Sequence, residues 1–289
     1  MTREERSLTR GRARACIILV AVIWSTTGAA VTFVDWNPLV FSAARNLVAF
    51  VFLGFVRKNF RFRLIGPVIQ GALYNYLCST FYVIALKFTA PANAIILQST
   101  SPMFVVLISW LLLKKGIRKK DLLFVTIITA GIAVFFLDGV GTGNLIGDLF
   151  ALGSGILHAA NILHARYSGV DVKEYNMCSY VISMVIGFPL MFVYPPVVTP
   201  VCIASVLYLG IVSMGLASVL YAKAVPAVPP AETSMLLMLD PVLNPVWVFL
   251  FFGDVPTVFA FIGGAIVLSG VAAWIVTDRG QPAEDAAAA

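Results

Sequence analysis

PANAIILQSTSP (residues 91–102) and PAETSMLLMLDP (residues 230–241) each hold two prolines eleven residues apart, and the second stretch follows the first by 139 positions. The same register matches two pairs of glycines, Gly71 with Gly210 and Gly131 with Gly270. In an apolar chain, matched Leu, Ile or Val arise by chance, whereas each Pro or Gly marks a particular backbone geometry. The chain is therefore predicted to consist of two similar halves.

The composition is that of an integral membrane protein. Hydrophobic residues make up 60% of the 289 positions and charged residues 12%, whereas soluble domains carry about 25% charged residues. Apolar stretches of about 20 residues can cross a hydrocarbon core of roughly 30 Å. Ten such spans are predicted, at residues 14–33, 38–56, 66–87, 91–113, 121–137, 147–167, 176–195, 202–223, 230–252 and 256–277.

Each half of the chain holds five of these spans, at residues 14–137 and 147–277. Because five is an odd number, the second half starts on the opposite side of the membrane, so similar halves must be inverted repeats. The predicted fold is an all-α integral membrane protein with ten transmembrane helices in two inverted five-helix repeats. Residues 1–13 are predicted to form a basic cytoplasmic N-terminus, and residues 278–289 a disordered cytoplasmic tail.

The orientation follows from the basic residues. With a cytoplasmic N-terminus, eighteen of the twenty Lys and Arg residues fall on the cytoplasmic side, while Arg45 lies within a span and Lys87 lies near the outer face. This bias predicts that both termini are cytoplasmic. It also accounts for the net charge of +6 without any binding of nucleic acid.

Several kinds of chemistry are absent from the sequence. It has no Gly-rich phosphate loop, so no ATPase is predicted in this chain. The four cysteines are isolated and lack Cys/His ligand spacing, so no metal site and no cofactor are predicted. An intramembrane enzyme that uses Ser154 and His158 is an alternative class. However, a Gly-x-Ser-x-Gly turn and a carboxylate to orient the histidine are missing, and the repeat would stay unexplained.

Asp240 is the deepest carboxylate of the predicted spans. It precedes Pro241 and shares one helix face with Glu232 and Asn244, at spacings of eight and four residues. A carboxylate inside the membrane is costly unless it is paired, hydrated or protonated. Asp240 and Glu232 are therefore candidates for proton coupling. A buried hydrogen bond is the alternative for Asp240, and contact with interfacial water is the alternative for Glu232.

Other polar and aromatic residues also lie inside the spans. Seven of them are predicted to line a substrate cavity: Trp24, Tyr74, Tyr82, Gln98, His158, Asn161 and Tyr221. Interhelical hydrogen bonds and interfacial anchoring are the alternatives. Pro102 and Pro241 lie near the bilayer centre, where each is predicted to kink its helix and displace a carbonyl. Arg45 is left open between pairing with Asp35 and binding an anion.

Two groups of residues resemble the signatures of a known family, the EamA-type ten-helix branch of the drug/metabolite transporter superfamily. ALKFTAPANA (residues 85–94), followed by Ser101-Pro102, is similar to the signature of the first repeat. YAKA (221–224), LDPV (239–242) and GDVP (253–256) are similar to that of the second repeat. The family usually has Glu where this chain has the Asp of LDPV and of GDVP.

The resemblance implies a secondary transporter of small metabolites, most often an inner-membrane exporter of amino acids or related compounds. Its partners are then a small-molecule substrate and the lipid bilayer, and a monomer is compatible with the sequence. The family's central cavity is lined by spans 1, 3, 4, 6, 8 and 9, which here carry the polar residues named above. A facilitative uniporter or an uptake carrier is the alternative.

The topology can be tested with reporter fusions after residue 277. We expect green fluorescent protein fused there to fluoresce and alkaline phosphatase to be inactive, because the charge bias places this end in the cytoplasm. High phosphatase activity at this position would contradict the prediction.

Overall fold

A computed structural model describes residues 8–27, 30, 33–89, 91–112, 114, 118–135, 137, 144–253 and 257–277. These residues form helices joined by short connections, and none of them is in a strand. The helices of the first half are α1 (Arg10–Ser25), α2 (Pro38–Arg57), α3 (Gly66–Phe88), α4 (Pro91–Gln98), α5 (Ser101–Leu111) and α6 (Lys119–Phe135). Those of the second half are α7 (Leu145–Tyr167), α8 (Val172–Leu190), α9 (Pro200–Tyr208), a π-helical segment (Leu209–Leu216), α10 (Ala217–Ala224), a 3₁₀ turn (Val225–Ala227), α11 (Pro230–Leu237), α12 (Leu239–Phe252) and α13 (Val258–Thr277).

Five helical stretches are long and apolar enough to cross a membrane: Pro38–Arg57, Asn93–Leu111, Leu145–Tyr167, Pro200–Ala227 and Pro230–Phe251. The all-helical membrane architecture is therefore confirmed, while the arrangement of ten spans stays a prediction. The predicted tail, residues 278–289, lies outside the described residues, as do residues 1–7 of the predicted basic N-terminus.

Local chemistry sets where several helices begin and end. Asp171 starts α8 earlier than the predicted residue 176, because its side chain accepts a hydrogen bond from the Lys173 amide at 2.9 Å. The same helix ends at Leu190, before Pro195 and Pro196, and not at residue 195. Helix α1 ends at Ser25, whereas the predicted span continued to residue 33. At most other helix ends, the predicted and observed boundaries agree to within a few residues.

The matched prolines follow matched interruptions of the backbone. Helix α4 ends at Gln98 and α5 begins at Ser101, one residue before Pro102. Helix α11 ends at Leu237 and α12 begins at Leu239, two residues before Pro241. Proline has no amide hydrogen and displaces the carbonyl four residues earlier, so the helix ladder is broken there. Where the sequence predicted kinks, the structure has two broken helices.

The largest helix contacts between the two halves come in pairs that correspond when the halves are exchanged. Helix α3 packs on α7 as α10 packs on α1, and α4 and α5 pack on α7 as α11 and α12 pack on α1. Helix α3 also packs on α8, as the π-helical segment packs on α2, and two further large contacts pair α2 with α8 and α6 with α13. Each of these last two pairs joins corresponding helices of the two halves. This is the contact pattern of two units related by a two-fold rotation.

The glycines that revealed the repeat lie at reciprocal contacts. A Cβ atom placed on Gly131 would lie 2.8 Å from Cγ2 of Ile266, and one placed on Gly270 would lie 3.6 Å from Cγ2 of Ile127. Ile127 and Ile266 are themselves partners in the repeat register. Gly131 thus contacts the counterpart of Ile127, and Ile127 contacts the counterpart of Gly131. Such reciprocal contacts are those of a two-fold symmetric interface. Small residues here let α6 and α13 approach closely.

Two adjacent glycines of α13 offer a matched test of this packing. A Cβ on Gly263 would overlap the backbone of Phe135, whereas one on Gly264 would lie 3.4 Å from the Phe135 ring, an ordinary contact. We expect Gly263→Ala to lower the free energy of unfolding by about 1–3 kcal/mol through overpacking, and Gly264→Ala to leave it unchanged. Thermal unfolding midpoints in detergent measure both. Equal midpoints for the two variants would refute the close contact.

Candidate substrate cavity

A cavity of about 830 Å³ lies between the two halves. It is lined by α1, α2, α3, α4, α7, the π-helical segment, α11 and α12. Both helix breaks face it, since Gln98 and Ser99 line one wall and Leu237, Met238 and Pro241 line another. A broken backbone at membrane depth is tolerated where it lines a cavity or is covered by protein. The helix breaks at the matched prolines therefore lie at the walls of the cavity.

Five of the residues selected from the sequence meet in this cavity: Trp24, Tyr82, Gln98, His158 and Asp240. They come from five different helices of both halves. The cavity also contains side chains that the sequence analysis had not selected for it: Trp36, Phe41, Ser42, Arg45, Met214 and Met238. Most of these are apolar or lie near a helix start, where they resemble lipid-facing and loop residues. Among these residues, Arg45 stands out in the sequence because it is charged, but its role is left open there.

Among the described residues, Asp240 has no partner that would neutralise it. Its carboxylate makes no hydrogen bond and no ion pair with any residue that the structure describes. It lies one residue before Pro241, directly after the break in the helix, and it lines the cavity together with Asn244. The buried hydrogen bond considered as an alternative is therefore not seen. A carboxylate so placed can meet a substrate or exchange a proton with cavity water.

Trp24 lines the cavity and is held in place by contacts with the second half. Its indole Nε1 donates a hydrogen bond to the Ser213 carbonyl at 3.0 Å, and the hydroxyls of Thr27 and Ser213 are 2.8 Å apart. Ser213 lies in the π-helical segment, whose wider turns leave backbone carbonyls available to other donors. Tyr221 lies behind Trp24, with 6.3 Å between ring centroids. These contacts hold the end of α1 against the second half.

Four selected residues lie away from the cavity lining. Tyr221 is buried behind Trp24. Tyr74 accepts a hydrogen bond from the Gln70 amide at 2.8 Å and packs edge-on against His164. Asn161 has a buried carbonyl oxygen with no partner in the described structure. Glu232 is engaged at the start of α11, as set out below.

A family model of EamA-like transporters matches residues 12–137 and 145–276. The chain belongs to the EamA-like transporter family. The two matches divide the chain into two repeats, as the proline register predicts. The protein is thus a multi-pass membrane transporter that acts on a small-molecule substrate, and the family assignment made from the sequence is confirmed.

Individual relatives carry transporter names. An "Uncharacterized transporter" of Archaeoglobus fulgidus is 27% identical over 205 residues, which is 68% of this chain and 70% of the relative. A "Probable terminal-alkyne amino-acid exporter" of Streptantibioticus cattleyicolor is 28% identical over 187 residues, 62% of each chain. A crystal structure that is 20% identical superposes with a TM-score of 0.81, covering 94% of this chain and 99% of the other. That likeness concerns the fold.

The pair considered for an intramembrane enzyme does not assemble in this transporter. The Ser154 hydroxyl donates to the Cys78 carbonyl at 2.9 Å and accepts a hydrogen bond from the Gln98 amide at 2.8 Å. Ser154 has no exposed surface and no hydrogen bond to His158. Its proton is directed at a backbone carbonyl, so the serine ties α3, α4 and α7 together beside the cavity.

Glu232 belongs to a separate cluster of charges where α1 and α11 begin. It is fully buried, and it pairs with Arg10 at 2.8 Å and also with Arg14. Arg14 lies 5.4 Å from the centre of the Trp274 ring, and the Trp274 indole donates to Asp121 at 3.2 Å. These contacts fasten α11 to α1 and join both to α13 and α6.

The pairing of Glu232 can be tested against a second Arg–Glu pair. We expect Glu232→Gln to lower the free energy of unfolding by about 3–5 kcal/mol, because two arginines lose a buried counter-charge. Glu174→Gln is the control. The Glu174 side chain is 5% exposed, but its partner Arg63 is 63% exposed and stays hydrated without it, so the expected loss is smaller, about 1–2 kcal/mol. Thermal unfolding in detergent measures both variants, and similar losses for the two would argue against a buried cluster.

Proposed function

We propose that this transporter is a secondary active exporter of small metabolites such as amino acids, working by alternating access in the inner membrane. The proposal is carried by one observation: an unpaired carboxylate, Asp240, stands at a helix break in a cavity between two similar halves. No phosphate loop is present in the sequence to supply ATP-driven transport. A transmembrane gradient is then the energy source.

The proposed topology has ten spans in two inverted repeats, with both termini in the cytoplasm. It is supported by the exchange symmetry of the helix contacts and by the reciprocal glycine contacts of α6 and α13. In this arrangement α4 and α5 together form one span, as do α11 and α12, and as do α9, the π-helical segment and α10. The helix breaks then lie near the bilayer centre, where inverted-repeat transporters place their sites.

The cavity of this structure corresponds, in the proposed topology, to an outward-facing state. It extends to Val34, Trp36 and Pro38, at the end of the bundle opposite the N-terminus. At the N-terminal end, α11 packs across the gap on α5, α6 and α7. In the described residues, α4 has no comparable packing on α1, α12 or α13. Alternating access would exchange this asymmetry between the two ends.

Asp240 is assigned the coupling proton. Glu232, the other candidate, is satisfied by two arginines and does not line the cavity. Asp240 is unpaired, so protonation removes a charge that is costly in a closed site and favours one access state over the other. The exporter name of the Streptantibioticus relative supports an amino-acid substrate, whose ammonium group suits the aromatic side chains of the cavity.

Replacing Asp240 distinguishes proton coupling from movement of the solute across the membrane. Asp240→Asn mimics the protonated form, so we expect loss of pH-gradient-driven accumulation while solute counterflow without a gradient is retained. Counterflow needs only the loaded carrier to reorient. Both are measured in proteoliposomes with a mixture of radiolabelled L-amino acids, under an imposed pH gradient or with preloaded solute.

Asp171→Asn is the matched control. It removes a carboxylate outside the cavity, and asparagine still caps α8, so both fluxes should persist. Full gradient-driven accumulation by Asp240→Asn would rule out the coupling role and favour a facilitative uniporter. Loss of counterflow as well would place Asp240 in substrate binding without assigning it the proton.

A further inference from the structure

Arg45 is an intramembrane cation in the middle of α2. One of its Nη atoms donates to the Ser42 hydroxyl at 3.2 Å, and its guanidinium carbon lies 5.6 Å from the centre of the Phe41 ring. Its Nε atom is buried and has no hydrogen-bond partner. A guanidinium carries five N–H donors, and in the described structure one weak hydroxyl contact engages it.

No carboxylate in the described part of the chain neutralises this arginine. Asp35, the partner considered from the sequence, is exposed and forms no ion pair with it among the described residues. Asp240 lines the same large cavity, but no ion pair joins the two side chains. A charged side chain inside the membrane is retained where it meets a counter-charge, water or a ligand. The residues that the structure describes do not supply the counter-charge for Arg45.

Arg45 also lines a second, smaller cavity of about 150 Å³ between α2, α3 and α8. Trp24, Ser42, Arg45 and Ser79 belong to the walls of both cavities, so this side chamber adjoins the large one at Arg45. Its walls hold unusually many hydroxyl and amide groups for a membrane interior. Four of them make no hydrogen bond in the described structure: Asn46, Ser79, Ser179 and Ser183.

We propose that Arg45 and this side chamber form an anion-binding site that takes a carboxylate or another small monoanion. The guanidinium supplies the charge and a pair of parallel N–H donors, the pattern that matches a carboxylate. The free hydroxyls and the Asn46 amide complete its hydrogen bonds. Gly210 supports the position of this part of α2, since a Cβ there would lie 2.7 Å from the Arg45 carbonyl oxygen.

Two sources can supply the same chemistry. The anion is either the carboxylate of the transported solute or a separate ion such as chloride that is bound with it. The first reading rests on the proposed function, because the anion is then part of the transported solute. Binding of the anion itself requires no transport, so it is tested independently.

The first experiment measures binding to purified protein in detergent. Sodium acetate and sodium chloride are titrated at constant ionic strength in sodium HEPES, and the thermal unfolding midpoint is followed. We expect a saturable rise with at least one of the two anions, and its loss in Arg45→Gln. Arg63→Gln is the control, because this arginine pairs with Glu174 outside the cavity, and it should keep the response.

Arg45→Lys is a second variant that tests the site even if Arg45→Gln misfolds. It keeps the charge but not the parallel donors, so we expect saturable binding that is roughly tenfold weaker. No saturable response in the native protein would overturn the site. An affinity unchanged in both Arg45 variants would overturn it as well.

Transport then distinguishes the two sources in proteoliposomes. If the anion is the solute's own carboxylate, counterflow of labelled amino acids is indifferent to chloride. Amino-acid amides then compete at least tenfold more weakly than amino acids, and this preference disappears in Arg45→Lys. If the anion is separate, counterflow requires chloride and the amides compete equally well. Acetate or chloride binding without any transport would leave the anion site standing and refute the proposed function.

Discussion

A helix that breaks inside a membrane exposes backbone groups that lipid cannot hydrogen-bond, and this constraint governs the structure. The breaks before Pro102 and Pro241 are tolerated because each faces a cavity and a neighbouring helix. Gly155 shows how closely that neighbour approaches, since a Cβ there would lie 3.1 Å from the Gln98 carbonyl oxygen. Because the breaks are matched by the repeat, the two halves must expose them to one another, and the cavity follows.

The same constraint sorts the charged side chains into two kinds. Glu232 and Asp121 are buried and contact arginines or an indole. Their charges are neutralised by contacts within the protein. Asp240 and Arg45 border the cavity, and the described residues provide neither with a partner of opposite charge. A fold that can neutralise one buried carboxylate so fully has no structural need to leave another bare. The unpaired charges are therefore better explained by a ligand than by packing.

The sequence predicted the fold better than it predicted the cavity, for a physical reason. Polar residues such as Gln98, His158 and Asp240 stand out in an apolar helix, and period and spacing place them on an inward face. Periodicity does not say how far along the helix the halves separate, so Tyr74 and Asn161 looked equivalent to them. Phe41 and Met214 carry no polar signal at all, because a cavity wall and a lipid-facing surface use the same side chains.

The two halves are similar in fold but unequal in how their ends are fastened. Asn93 is the counterpart of Glu232 in the repeat register. Where Glu232 holds two arginines of α1, Asn93 donates to Thr89 at 3.3 Å, and Thr89 donates to Asp148 of α7 at 2.7 Å. Each broken helix is thus tied at its start to the helix it packs on. A symmetric fold alone offers two equal access states. In the proposed alternating-access mechanism, unequal chemistry at the two ends gives the two access states different energies.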